Sequence, residues 1–243
     1  MREFVLNQVA SGGDTRFHPS YLVTPIARSH GVSPSEVYAT LWGLVADGLI
    51  YLDPAGQPST DNWHWRATRL GVSVAAGGRW EPRDPEGFLR RLRQSEHAIS
   101  DISLVYVTEA LNAFNGHAYL ATSVMIGVAA EQTFNELAQA LVRAYPQTTV
   151  KLKSALDSPR TSQHARYEEF RKALPSRADL PDGLADPLTM DAVADLLRVA
   201  RNDSGHPSGR SVDEETAHTH LQMGAVYLRK MTALRDHFDA QAG

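Results

Sequence analysis

The chain contains no cysteine. Disulfide scaffolds, thiol nucleophiles and Cys-type zinc sites are therefore excluded. Positive charge is not in surplus either. The 24 Lys and Arg face 28 Asp and Glu, for a net charge of −4, which rules out coating nucleic acid by bulk charge. No apolar run approaches the ~18 residues of a membrane span. The opening residues, Met1-Arg2-Glu3-Phe4-Val5-Leu6-Asn7-Gln8, lack the apolar stretch of a signal peptide. The expectation is a cytoplasmic protein with no membrane partner. Phosphate-cradling Gly-x-x-x-x-Gly-Lys, the Gly-x-Ser-x-Gly elbow and a dinucleotide Gly-x-Gly-x-x-Gly after a strand are all missing. What is present is an ordinary globular balance over 243 residues, 42% hydrophobic and 21% charged. At about 150 residues per domain, that means one or two domains.

Composition changes near residue 80. Five Gly or Pro follow Ala76 within residues 77–87, the punctuation expected of a linker. Before it the elements are short. Phe4–Ala10 reads as a short apolar helix stopped by Gly12-Gly13. Thr24-Pro25 reads as a cap followed by Pro at the first helical position, with a stop at Gly31. Ser33-Pro34-Ser35-Glu36 carries the spacing of a capping box, and Val37, Leu41, Leu44 and Val45 follow on one face. Leu49–Leu52 alternates into an Asp53-Pro54-Ala55-Gly56 turn, and Trp63–Leu70 reads as a return strand. Trp63 and Trp65 then belong to core or interface rather than to base stacking. Helices about a Gly turn, followed by a hairpin, resemble winged-helix regulators over about residues 1–76. Yet Ser33–Gly48 holds no Lys or Arg, and residues 1–80 balance six Arg against six acids. DNA binding by residues 1–80 therefore stays open beside dimerisation or partner docking.

After the linker the pattern is helical. Asp84-Pro85-Glu86 starts a helix that carries Phe88, Leu92, Ile99, Ile102, Tyr106 and Phe114. Ala118–Tyr145 forms a second, stopped by Pro146. Residues 146–186 read as irregular, with a short helix near Ala165–Leu174. Pro187 opens a third helix with Met190, Val193, Leu197 and Ala200. Ser211-x-x-Glu214 reads as a capping box before a last helix with Ala217, Leu221, Gly224, Leu228, Met231 and Leu234. The fold expected is mainly α, with a small winged-helix (α+β) domain at 1–80 and an up-down helical bundle at 85–243.

Chemistry concentrates in Arg201-Asn202-Asp203-Ser204-Gly205-His206-Pro207. Spacing alone does not single it out. With 20 Arg and 10 His, about one Arg-x4-His pair arises by chance, and Arg91 and His97 form a rival six apart. Context distinguishes the first, because Asn202 follows Arg201 and the pair straddles the end of one helix before a capped final one. His is the acid/base suited to neutral pH. Arg offers a permanently charged fork to phosphate oxygens, and Asn202 can orient either group. On a straight helix five residues turn ~140°, so convergence needs the Gly205/Pro207 break. The alternative is an Arg beside the last helical carbonyls and a solvated loop His.

With these residues the chain resembles the HEPN family, small helical bundles in which many members are ribonucleases. The resemblance covers residues 85–243. It implies a metal-independent endoribonuclease, without a cofactor, in which the RNA 2′-OH attacks the neighbouring phosphate. It also implies toxin or phage-defence roles, an antitoxin or regulatory partner, and homodimers whose Arg/His sets share a cleft. A two-fold would bring a second His206 to a reaction that uses two acid/base groups. The rival class is a non-catalytic winged-helix regulator with a dimerising or ligand-sensing helical domain.

Two further features bear on this reading. Glu131 lies within 20° of Val124 on a stripe with Leu120, Val128, Ala138 and Val142, where a carboxylate needs a partner such as Arg201. The 151–177 stretch sets seven Lys and Arg against three acids. Of these, Lys151, Lys153, Arg166, Arg171 and Lys172 are the candidates to guide an RNA backbone, unless they form a solvated face. His218 and His220, two apart, point ~200° from each other and make a poor metal pair.

Overall fold

The computed structural model describes residues 1–54, 56–76, 81–176, 179–184, 189–194 and 211–242. The protein is mainly helical with a small two-stranded antiparallel sheet. It divides into Met1–Gly87 and Phe88–Gly243.

In the first unit the order is α1 (Arg2–Ala10), α2 (Val23–His30), α3 (Pro34–Ala46), β1 (Ile50–Asp53), β2 (His64–Ala67) and α4 (Arg69–Ala75). The α3 start follows the sequence signal. Ser33 accepts from the Glu36 amide, and the Glu36 carboxylate accepts from the Ser33 amide at 2.8 Å. Val37, Leu41 and Leu44 are fully buried from it. Gly31, at φ 65°, ends α2 in the left-handed region. The α2 start differs from the sequence signal: its cap position is Leu22, so Thr24 and Pro25 lie inside the first turn. β1 and β2 pair with Leu52 opposite Trp65, and Trp65 is fully buried. An isolated bridge at Arg16 extends the sheet beside His64, with the Phe17 amide donating to the Trp63 carbonyl. The return strand stops at Ala67 rather than Leu70, because the Thr68 hydroxyl accepts from the Gly71 amide and starts α4.

In the second unit α5 (Pro85–Arg93), which begins just before the division, is followed by α6 (Asp101–Asn115), α7 (Tyr119–Ala144), α8 (Val150–Asp157) and α9 (Gln163–Ala173). A helical stretch at residues 189–194 (α10) and α11 (Glu214–Gln241) complete it. The apolar spacing from Phe88 to Phe114 reads as one helix but is broken in two. Ser95 donates to the Leu92 carbonyl at 2.8 Å, and the Ser100 hydroxyl caps α6 by accepting from the Ser103 amide. Ile102 is 55% exposed as a result. The irregular reading of 146–186 misses α8.

α7 lies between α6 and α11. Only Gly116–Ala118 separate α6 from α7, which run antiparallel, and Ser103 meets Thr133 at 2.9 Å. α7 and α11 run parallel instead. Their paired residues rise together, from Ser123–His220 (2.9 Å) through Glu136–Arg235 (3.4 Å) to Arg143–Asp239 (2.7 Å). A parallel pair needs a long crossover, and the segment containing α8, α9 and α10 supplies it. Phe134 of α7 meets Tyr167 and Phe170 of α9 at 5.7 and 5.3 Å between ring centres. The Tyr167 hydroxyl donates to the Met190 carbonyl. The apolar face of α11 is as the sequence predicts, with Ala217, Leu221, Leu228, Met231 and Leu234 all buried. Its cap is Asp213 rather than Ser211, because the Asp213 carboxylate accepts from the Thr216 amide at 2.8 Å.

Candidate functional site

Arg201, Asn202 and His206 lie outside the described residues, so their mutual geometry and the expected Glu131–Arg201 pair do too. The described chain resumes at Ser211, just ahead of α11. The start of α11 is strongly acidic, with Glu214 and Glu215 in its first turn. Hydrogen bonds from Thr216 hold the Asp213 carboxyl below its ordinary value. The α6–α7 turn reaches this end. His117, at φ 59°, meets the Tyr119 hydroxyl at 2.8 Å, and that hydroxyl donates to Glu214 at 2.9 Å. One to two turns along, the His220 ring meets the Ser123 hydroxyl. His220 is thus engaged across the α7–α11 contact, while the His218 ring lies tilted beside Phe114 with ring centres 6.1 Å apart.

Glu131 is half-buried on α7. Of the stripe assigned to it only Ala138 is buried. Leu120 is 42% exposed, and Val124, Val128 and Val142 are only half-buried. The buried residues run around the helix from Ala129, Thr133 and Ile126 through Leu137, Ala130, Ser123, Leu141 and Phe134 to Gly127 and Ala138. At 100° per residue they span about half the helix circumference, and Glu131 falls just past the edge of that arc. The arc is broad because α7 is covered from three sides. It is rich in Ala and hydroxyl side chains that a hydropathy reading skips.

The basic stretch is largely tied to neighbours. Lys153 pairs with Asp157, and Lys172 with Glu169 at 2.8 Å. Arg171 lies 3.8 Å from Asp191. Arg166 donates to the Ala155 and Ser158 carbonyls at 3.2 and 3.0 Å, closing the end of α8. Its guanidinium therefore has a structural task. Lys151 is exposed at the start of α8 and acts electrostatically on Glu169.

A cluster that sequence reasoning passed over joins the loop after α5 to α11. His97 Nδ1 lies 3.0 Å from Asp236 Oδ2. Arg235 grips the other Asp236 oxygen at 2.6 Å, reaches Glu136 at 3.4 Å and donates to the Ala98 carbonyl at 2.9 Å. One guanidinium thus fixes both the carboxylate and the loop carrying the imidazole. Beside His97 opens a cavity of about 270 Å³, whose lining includes Arg229 and Lys230. Lys230 also donates to the Thr189 hydroxyl at 2.7 Å. The sequence gives His97 only as the weaker Arg/His pair. Its true partner is 139 residues away, beyond any local spacing.

No protein-family model, no curated protein and no solved structure matches this chain.

Proposed function

We propose that this chain is a metal-independent endoribonuclease of the HEPN type, working as a homodimer. The observation that carries the proposal is Arg201-Asn202-Asp203-Ser204-Gly205-His206 directly ahead of α11, in a mainly helical unit. In the proposed reaction His206 takes the proton of an RNA 2′-OH. The 2′-oxygen bonds to phosphorus, the bond to the 5′-oxygen breaks, and that oxygen leaves with a proton from the second His206 of the dimer. Arg201 offsets the charge that develops on the phosphorane, and Asn202 orients it. Glu131 holds Arg201 from α7. The antiparallel α6–α7 pair supports an up-down bundle as the frame. By its resemblance the protein acts as a toxin or defence effector restrained by an antitoxin or regulatory protein.

The test is cleavage of end-labelled RNA by purified protein in EDTA. The expected product carries a 2′,3′-cyclic phosphate, and Arg201→Ala or His206→Ala abolishes it with the fold intact. Activity that requires a divalent metal, or a fully active variant, overturns the proposal.

A second reading is a non-catalytic regulator, favoured by the first unit. The order α1, bridge at Arg16, α2, α3, β1, β2 supports a winged helix. The outer face of α3, however, presents Ser35, Ala39, Trp42 and Ala46 and no cation, and Trp42 is 49% exposed. Strong DNA binding needs several cationic phosphate contacts, so this face suits a protein partner better than DNA. Retardation of promoter DNA at moderate salt by a protein inactive on RNA would establish the regulator instead.

A further inference from the structure

We infer that the outer face of α3 is a docking surface for a short proline-rich segment of a partner protein, held in the polyproline II conformation against Trp42 and Tyr38. The inference goes beyond the ribonuclease reading and does not rest on it.

Four aromatic rings meet at this face. Trp65 is fully buried beneath it, and Trp42 stands against Trp65 in an edge-on contact, with ring centres 5.2 Å apart and planes at 79°. Phe17 lies 5.7 Å from Trp65 and 6.1 Å from Tyr38 between ring centres. A buried ring thus braces Trp42, although Trp42 is itself 49% exposed. A ring held in place before its partner arrives lowers the ordering cost of binding. At 100° per residue, Tyr38, Trp42, Ser35, Ala46 and Ala39 share about 100° of the helix circumference. That arc carries no charged side chain. Its small members, Ser35, Ala39 and Ala46, are exposed and form a low floor beside the Trp42 and Tyr38 rings.

The polar atoms of the face select the partner. Among the described residues neither the Trp42 indole N–H nor the Tyr38 hydroxyl has a hydrogen-bond partner. An indole N–H can only donate. Burial, with Asp61 nearby, raises the Tyr38 hydroxyl above its ordinary value and keeps it a donor. The two donors lie four residues apart, about 6 Å along the helix axis. Carbonyls two residues apart in polyproline II are also about 6 Å apart. An ordinary peptide would bring N–H groups that find few acceptors here, whereas proline presents a carbonyl and no N–H. A partner helix answers neither donor from its backbone, because its own ladder uses the carbonyls. Ser35 to Ala46 spans about 17 Å, room for about five residues of polyproline II. Aromatic-lined grooves suit proline rings, and the segment already holds this conformation when free, so little entropy is lost on docking.

The experiment follows the indole N–H signals of the four tryptophans by NMR, with that of Trp42 assigned from Trp42→Phe. The probes are decaproline, a Gly-Ser decapeptide, a basic amphipathic helical peptide and a DNA duplex. The expected result is a saturable downfield shift of the Trp42 signal with decaproline and none with the Gly-Ser peptide. Tyr38→Phe removes only the hydroxyl and should weaken decaproline binding about fivefold, the worth of one net hydrogen bond. Trp42→Phe keeps a ring against Trp65, so the fold survives, and should weaken binding at least as much. A Trp42 signal that decaproline does not move overturns the inference. So does unchanged affinity in both Tyr38→Phe and Trp42→Phe. Tighter binding of the helical peptide or of the duplex at this face overturns it too, replacing the proline-rich segment with another class of partner.

Discussion

Gly224→Ala sets two opposing effects against each other at the α7–α11 contact. Gly224 lies within the 28-residue α11, where Ala is favoured over Gly by about 1 kcal/mol in helix propensity. Packing opposes this gain. A Cβ at 224 would stand 2.4 Å from Ile126 Cγ1 and 2.7 Å from Cδ1. Ordinary carbon–carbon contacts are ~3.5–4.0 Å, so about 1 Å must be found. Ile126 is fully buried, and a β-branched side chain in a helix has essentially one χ1 available. The backbones cannot part easily either, because Ser123–His220 and Glu136–Arg235 tie the helices on both sides. Overpacking of this kind costs about 2–3 kcal/mol, which leaves a net loss of about 1–2 kcal/mol after the propensity gain. Urea unfolding followed by far-UV circular dichroism measures it. All four tryptophans lie within the first 80 residues, so their emission reports which unit responds. Ile126→Ala removes both clashing carbons. It should cost less in the Gly224→Ala background than alone, with a coupling of about 1 kcal/mol or more. A Gly224→Ala protein that is more stable by the full propensity gain, or additive substitutions, would refute the close α7–α11 approach.

Gly71→Ala should destabilise the first unit by at least about 2 kcal/mol, because its Cβ would lie 1.9 Å from the Leu49 carbonyl oxygen, a backbone atom that cannot swing aside. Tryptophan emission against urea reads this, and an unchanged midpoint contradicts it. Burial pushes the Tyr167 hydroxyl up to about 12, so one of the eight tyrosines should ionise late when absorbance is followed at alkaline pH, and Tyr167→Phe should remove that step. The unfolded chain ionises this group near 10, so its neutral form favours the fold below that pH, and the contribution is lost as pH rises from about 10 to 12. Tyr167→Phe should also lose about 1 kcal/mol with the Met190 hydrogen bond. Hydrogen bonds from the Ser33 amide and side chain lower Glu36 below its ordinary 4.5. Its contribution is present above that value and lost as pH falls through the lowered one, so the stability gap between wild type and Glu36→Gln should close in acid.

The parts of the fold that sequence reveals are those whose signal is local and unopposed. Ser33 and Glu36 cap α3 as their spacing demands, and α11 buries the stripe that its periodicity marks. The misses have physical causes. α4 contains Gly71, Val72 and Val74, residues with poor helix propensity. It forms because Thr68 caps it and Gly71 alone fits against Leu49. The break between α5 and α6 is hidden because Leu92 and Ile99 keep helical spacing on either side of it while the chain leaves the helix at Ser95. Ser211 loses to Asp213 because both stand where a cap can, and only the three-dimensional path of the chain decides between them. On α7, Leu120 and Val128 attract a hydropathy reading, while Ser103 and Thr133 show that part of the interior is held by hydroxyl pairs.

The two candidate sites separate along the same line. The Arg201–His206 motif can be read from the sequence because its six residues are consecutive, and it lies outside the described residues. The His97 cluster cannot be, because it is made by packing. Asp236 and Arg235 sit on α11, Glu136 on α7 and His97 in the loop after α5, and the parallel course of α7 and α11 brings Glu136 to Arg235. A contact between residues 97 and 236 has no spacing to search for. It does leave an indirect trace in the face of α11. Asp236 recurs on the side that carries Val226, Arg229, Lys230 and Ala233, so the helix opposite its core stripe presents a charged and apolar mixture rather than the uniform polar face of a solvated helix. A second face of that kind on the last helix is met in part by the loop at His97, through Asp236 and Arg235.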